Sequence, residues 1–240
     1  MSTPHNWTTY TAFLRTSRAS ESDLKYFALH PWLAPLLSPG SPYRSVPFFS
    51  RLEKGENNTL DRFFNRVINT NDTIPHAIAL VPGDEWLALR RKELFASSTS
   101  SPSSSQQNVT GEEKEQATTE QETTQKAEYD FILLTSLAPS LSGFTDTAHG
   151  GLLSALFDEA MGCCTAAFRN DDDAVQELFT VNLNVTYRRP VPLPGVYAIR
   201  VRVEKTEGRK WWLKGELVGG DGVVRTSAES LWVAARKGGL

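Results

Sequence analysis

The 240-residue chain is poor in cysteine: it has two, Cys163 and Cys164, and they are adjacent. Neighbouring thiols supply neither a disulfide framework nor the spaced pairs of a tetrahedral metal site, and this usage fits a reducing compartment. Histidine is almost as scarce. His5, His30, His76 and His149 are scattered without the paired spacing that zinc needs, so no metal and no cofactor is expected. Apolar runs are short, the stretch from Phe131 to Leu134 being among the longest, against the roughly 20 residues that cross a bilayer. No membrane span is therefore expected. Positive charge is not in excess, with 25 Lys and Arg against 28 Asp and Glu, so the chain has no field that would gather nucleic-acid phosphates. There is no Gly-x-Ser-x-Gly elbow, which removes the usual α/β-hydrolase nucleophile. No basic stretch followed by an apolar run opens the chain, so no secretory leader is expected. The first 20 residues do lack acids while holding Arg15, Arg18 and eight Ser or Thr, a transit-peptide composition interrupted by Pro4. The cytoplasm is the expected compartment, with mitochondrial import as the alternative.

What is present suits a globular protein with a substantial core: 40% hydrophobic, 22% charged and 10% aromatic residues. One segment, 96–128, breaks this composition. Of its 33 residues 13 are Ser or Thr, none is aromatic, and Val109 is the only branched aliphatic, so it cannot bury enough surface to order itself. Its six Glu against two Lys leave the rest of the chain close to +1. Flanking sequence, Trp86 to Leu94 and Tyr129 to Leu134, reads as strand on both sides, which predicts a long disordered hairpin connection. Upstream, residues 21–30 and 60–68 have helical apolar spacing, and prolines 31, 35, 39, 42 and 47 interrupt the stretch between them. Residues 1–80 thus read as an irregular helical arm ahead of a domain at 81–240.

From His149 onward the pattern is regular. Leu152, Leu153, Leu156, Phe157, Ala160, Met161 and Cys164 recur at helical spacing, predicting one amphipathic helix over 151–168. Val181, Leu183, Val185 and Tyr187 then alternate with polar residues in a strict period of two, which marks a strand with one apolar face. Further strands follow around 197–203, 211–218 and 223–234, with turns at Glu207-Gly208-Arg209 and Gly219–Gly222. The expected class is α+β, an antiparallel sheet whose main partner is the long helix.

Gly150 and Gly151 precede that helix, so their N–H groups are candidates for unsatisfied donors at a positive dipole end. Asp158 follows two turns later, opposite the apolar stripe and beside Ser154, Ala155, Gly162 and Thr165. On these residues alone, a solvated helix face and a functional site stand as equals. The mid-helix position of Cys163 and Cys164 suits small buried side chains better than nucleophiles. Trp211 and Trp212 point to opposite faces of one strand, one into the core and the other outward, to line a channel or pack under the N-terminal arm.

Three motifs in order resemble the hot-dog-fold acyl-CoA thioesterases: His149-Gly150-Gly151 with Asp158, the run Thr180 to Pro190, and Glu207-Gly208-Arg209-Lys210. The likeness covers roughly 86–233 without the insert and is greatest to the mammalian superfamily members that act on long-chain acyl-CoA, within a group that also takes in phenylacetyl-CoA thioesterases. It implies a hot-dog fold, a central helix wrapped by an antiparallel sheet, and a homodimer or tetramer with active sites at the subunit interface. By the same resemblance Asp158 activates water, Thr180 helps to hold it, and the His149-Gly150-Gly151 turn polarises the thioester carbonyl. Thr186, Arg188, Lys205, Thr206, Glu207, Gly208, Arg209 and Lys210 fall at the CoA site, with CoA as part of the substrate and not a cofactor. The chain departs from the family at Thr186, where an amide is commoner, and at Arg188, commonly Lys. Two other functions stay open at this point: hydration or dehydration of an acyl thioester by an Asp and His pair, and non-catalytic binding of acyl-CoA.

Overall fold

The computed structural model describes residues 9–54, 59–96, 126–169 and 177–235, so most of the 96–128 insert, residues 97–125, lies outside it. In chain order the elements are α1 (Tyr10–Thr16), α2 (Glu21–Ala28), α3 (Ala34–Leu37), β1 (Tyr43–Pro47), β2 (Ala77–Pro82), α4 (Asp84–Ala96), β3 (Phe131–Leu137), β4 (Ser142–Phe144), β5 (Thr147–Ala148), α5 (Gly150–Ala167), β6 (Leu178–Tyr187), β7 (Gly195–Glu207), β8 (Lys210–Val218) and β9 (Val224–Ala234). Seven strands form one antiparallel sheet in the order β1-β2-β3-β7-β8-β9-β6, and β4 and β5 make a separate small hairpin. The sheet wraps α5, which packs against β3, β6, β7, β8 and β9. This is the hot-dog arrangement.

The apolar stripe predicted for α5 is buried, and Cys163 and Cys164 lie in it as free thiols. Burial pushes the Cys163 thiol up to about 12 and the Cys164 thiol higher than its ordinary value, so both are inert packing groups. Gly215 on β8 lets the helix approach: a Cβ there would stand 2.8 Å from Met161 Cε and 3.1 Å from the Phe157 ring. Trp211 enters this core, whereas Trp212 is partly exposed and lies under Lys205, whose Nζ is 4.2 Å from the ring centroid.

Strands β2 and β3 are buried on both faces, which explains why they read as unbroken apolar runs. Ala79, Val81, Phe131 and Leu133 join the α5 core, while Ile78, Leu80, Ile132 and Leu134 join a second cluster on the other face with Phe27 of α2 and Leu33. Strands 43–47 and 77–82, of which all but the last two residues fall in the stretch read from sequence as a helical arm, are therefore part of the main sheet. The helical spacing of 21–30 does give α2, capped by Ser20, and residues 63–67 form a wider π turn.

The largest departure is at 84–96, expected as a strand and found as helix α4. Its buried and half-buried positions, Trp86, Leu87, Arg90, Arg91 and Leu94, follow helical spacing, with arginine at two of the inward positions. Arg90 is satisfied by the Val203 carbonyl at 2.8 Å and by Asp130, and Arg91 Nε donates to the Phe168 carbonyl at 2.9 Å, closing the C-terminal end of α5. The insert thus follows a helix, and the connection is not a hairpin between two strands.

Candidate active site

The first half of the site is the N-terminus of α5. His149 is the N-cap, with extended backbone, and its Nδ1 accepts the Gly151 N–H at 2.9 Å. The β4–β5 hairpin fixes this turn through His149 N–H to the Leu141 carbonyl and Ala148 N–H to the Val191 carbonyl, each 2.9 Å. Sequence reasoning treated the His149-Gly150-Gly151 turn as one donor unit, but the structure divides it. The Gly151 N–H is used by the cap, and the Gly150 N–H, at the first helical position, is the outward donor for which the described residues supply no acceptor. Tyr187 supports it from behind, donating to the Gly150 carbonyl at 2.8 Å and lying 2.7 Å from Ser154 Oγ. In front is a cavity of about 530 Å3 whose walls include Phe144, His149, Gly150, Tyr187, Arg188 and Arg189. A helix N-terminus with two guanidinium groups favours negative charge.

The second half lies two turns along the same helix. Asp158 is half-buried, and Thr180 Oγ1 donates to its Oδ1 at 2.7 Å, so sequence positions 22 apart meet. Burial raises the Asp158 carboxyl above its ordinary value, and the Thr180 hydrogen bond partly offsets this. Ser154, Ala155 and Gly162 share its face, and Gly162 admits the Trp232 ring, which would stand 2.9 Å from a Cβ there. Thr165, two turns further along that side, is fully buried and bonds back to the Met161 carbonyl. A second cavity, about 550 Å3, opens beside Asp158 between α5, β6, β9 and residues from the N-terminal part of the chain.

That N-terminal wall brings in a carboxyl which sequence reasoning missed. Glu159 Oε2 accepts from Ser50 Oγ at 2.6 Å, and burial, only partly offset by this bond, pushes Glu159 from 4.5 up to about 7. Because the folded value lies above the unfolded one, the native state binds more protons between pH 4.5 and about 7, and the stability this group contributes is lost as pH rises through that window. Glu159→Gln keeps an acceptor for Ser50. We expect it to be nearly neutral near pH 4 and stabilising by on the order of 3 kcal/mol at pH 8, read as a melting-temperature gain confined to the higher pH. An equal shift at both pH values would contradict the assignment.

The residues assigned to CoA from the family pattern do not gather within one chain. Arg188, whose Nε donates to Ser227 Oγ at 3.0 Å, follows β6 at the end near Gly150, with Thr186 close by on the exposed strand. The turn from Glu207 to Lys210 is level with Ala234 and so with Leu178 at the other end of β6. At 3.3 Å per residue, a ten-residue strand separates the two groups by about 30 Å. Gly208 supplies the positive φ of 57° that this turn needs, Glu207 and Lys210 are exposed, and an Arg209 guanidinium nitrogen donates to the Ala234 carbonyl. Thr206 is buried, and its hydroxyl donates to the Leu94 carbonyl at 3.1 Å near the end of α4. Lys205 rests on Trp212.

Residues 145–225, from the β4–β5 turn to the start of β9, match the model of the Thioesterase superfamily. The match takes in α5 and strands β6 to β8, which together with the rest of the sheet have the hot-dog arrangement. Among known proteins, the chain is 37% identical over 75 residues to acyl-coenzyme A thioesterase THEM4 of Bos taurus, covering 31% of this chain and 28% of that one. It is 30% identical over 109 residues to THEM4 of Xenopus laevis, covering 45% and 46%. The chain therefore spans less than half the length of these curated relatives. A solved thioesterase superfamily protein aligns at 26% identity with a TM-score of 0.39, covering 43% of this chain and 50% of the other.

Proposed function

We propose that the protein hydrolyses acyl-CoA thioesters to the carboxylic acid and CoA at a site assembled from two copies of the chain. The observation that carries this reading is the separation of its two chemical groups. Gly150 and Asp158 are eight residues apart on one helix, about 12 Å along its axis, and they open into different cavities. An oxyanion donor and a water-activating carboxylate must both act within roughly 3–4 Å of one carbonyl carbon. Strand β6 is an edge strand, and it exposes Val181 at 59% and Tyr187 at 52%. An edge of this kind is a template for pairing with a second chain. If two copies meet antiparallel through β6 and the small-residue face of α5, Gly150 of one comes opposite Asp158 of the other. The same pairing carries Arg188 to the 207–210 turn of the second copy, so the basic groups that are about 30 Å apart in one chain converge on one ligand.

The chemistry then runs on side chains already placed. Asp158, with Thr180 holding its orientation, takes a proton from water as the oxygen attacks the thioester carbon. The Gly150 N–H and the helix dipole stabilise the oxygen that becomes negative, and collapse breaks the C–S bond and releases the CoA thiolate, which takes up a proton. Arg188 and the basic turn meet the phosphates. Support comes from the family match at 145–225 and from relatives named as acyl-coenzyme A thioesterases. The two buried free thiols favour a reducing compartment, and we place the protein in the cytoplasm.

Release of free thiol from a panel of acyl-CoAs tests the reading, and no release from any of them would overturn it. Within that assay Arg188→Ala should raise KM by about tenfold and weaken inhibition by free CoA to a similar degree, the scale of one charge-assisted contact. An unchanged KM for several acyl groups would remove Arg188 from the CoA site.

A further inference from the structure

The second cavity has a chemistry that distinguishes its occupant. Beyond Asp158, toward the C-terminal end of α5, Cys163 and Ala166 from the helix, Phe179 from β6 and Trp232 from β9 give it a mainly apolar wall, with Arg169 just past the helix end. Its remaining wall comes from residues outside the segment that matches the family, namely Tyr10, Phe49 and Leu60. Tyr10 and Phe49 pack edge to face with centroids 5.0 Å apart, and Phe13 joins them in a rigid aromatic group. The Ser50 bond to Glu159 fastens this wall to α5 one residue from Asp158.

Charge separates this cavity from the one at Gly150. Among the described residues, three carboxyl groups, Asp61, Asp158 and Glu159, line it against one cation, Arg169. Asp61 is also paired with Lys54 at 2.6 Å. A phosphate-bearing ligand is disfavoured here, whereas the cavity at Gly150 has Arg188 and Arg189 and, among the described residues, no carboxylate in its wall. An uncharged chain attached at a carbonyl beside Asp158 fits both the apolar walls and the polarity at their edge.

We infer that Tyr10, Phe49 and Leu60, which lie outside the segment that matches the family, close the acyl side of this cavity and set the chain length it accepts. The inference rests on the thioester-hydrolase reading for its reaction, but the cavity can be tested without turnover. Leu60 is 54% exposed, so Leu60→Trp narrows the cavity without emptying the core, and Ala166→Leu narrows it from the helix side. Thermal melts establish that each variant is folded. Across straight-chain substrates from butanoyl-CoA to hexadecanoyl-CoA, both should lose at least about tenfold in kcat/KM for long chains relative to butanoyl, with inhibition by free CoA unchanged. A uniform loss at all lengths, or weakened CoA inhibition, would overturn the inference.

A binding series separates the two ideas. With Asp158→Asn, which should not turn substrate over, calorimetry should show affinity for acyl-CoA rising with chain length above that for free CoA. Adding Leu60→Trp should abolish the rise. If the wild type hydrolyses none of the panel, the hydrolase reading falls and this series alone decides. Chain-dependent affinity lost in Leu60→Trp upholds the acyl cavity, and chain-independent affinity refutes it.

Discussion

Asp158→Asn is expected to lower kcat by at least about 100-fold, the scale of a positioned general base, with little change in KM. The substitution preserves shape, and the amide oxygen can still accept the Thr180 hydroxyl, so melting temperature should be nearly unchanged. What is lost is the group able to take a proton from water. Because burial raises the Asp158 carboxyl, wild-type kcat should fall as pH drops through a value above the ordinary aspartate range, and the residual activity of Asp158→Asn should lack that limb. A variant that is stable and retains near-normal turnover would remove Asp158 from the chemistry.

The second large effect is expected at Gly150, where one substitution removes a hydrogen without disturbing the helix. Proline is well tolerated at the first helical position, since the N–H it lacks has no partner inside the helix. His149, at φ −65° and ψ 130°, already has the extended conformation required before proline. The ring would press on Tyr187, whose hydroxyl and adjoining ring carbon are 3.2 Å from a Cβ at this position, and a half-exposed tyrosine can yield by a few tenths of an ångström. Gly150→Pro should therefore lower kcat by about 100- to 1000-fold, the usual effect of losing one oxyanion donor. Gly150→Ala, which keeps the N–H, is the control and should retain most activity. Equal losses in both variants would show that space at this position matters and the donor does not.

Much of this site was legible because its residues belong to regular elements. The apolar spacing from Leu152 to Cys164 located α5, and with it the two-turn interval between the glycines and Asp158. The alternation from Thr180 to Tyr187 located β6 but put Thr180 on the polar side, whereas a bulge between Thr180 and Asn182 turns it toward α5, the side that Tyr187 also faces. Residues whose surroundings come from far along the chain were harder to read. Arg90 and Arg91 face inward because Val203, Asp130 and Phe168 accept from them, and no local pattern shows that an arginine is satisfied by a distant carbonyl. Strands β1 and β2 went unrecognised for a related reason: β2 has no polar face, since α2 and α5 lie on opposite sides of it, so its period of two is erased. Glu159 stood in plain view beside Asp158. Its shifted carboxyl depends on Ser50, 109 residues away, and on burial under a wall that local sequence does not reveal. The basic residues differ again: Arg188 and Arg209 lie at opposite ends of the sheet, and it is the proposed pairing of two chains that would bring them to one ligand.

The central claim is that each active site takes its oxyanion donor from one chain and its base from another. Mixing tests it most directly: Asp158→Asn and Gly150→Pro, each nearly inactive alone, are combined, and subunit exchange is verified with two affinity tags. A heterodimer then holds one intact site, Gly150 from the first variant with Asp158 from the second, and one site lacking both groups. With random exchange half of the dimers are mixed, so about a quarter of wild-type activity per chain should return. If exchange is verified and no activity returns, both groups act within a single chain and the shared site is wrong.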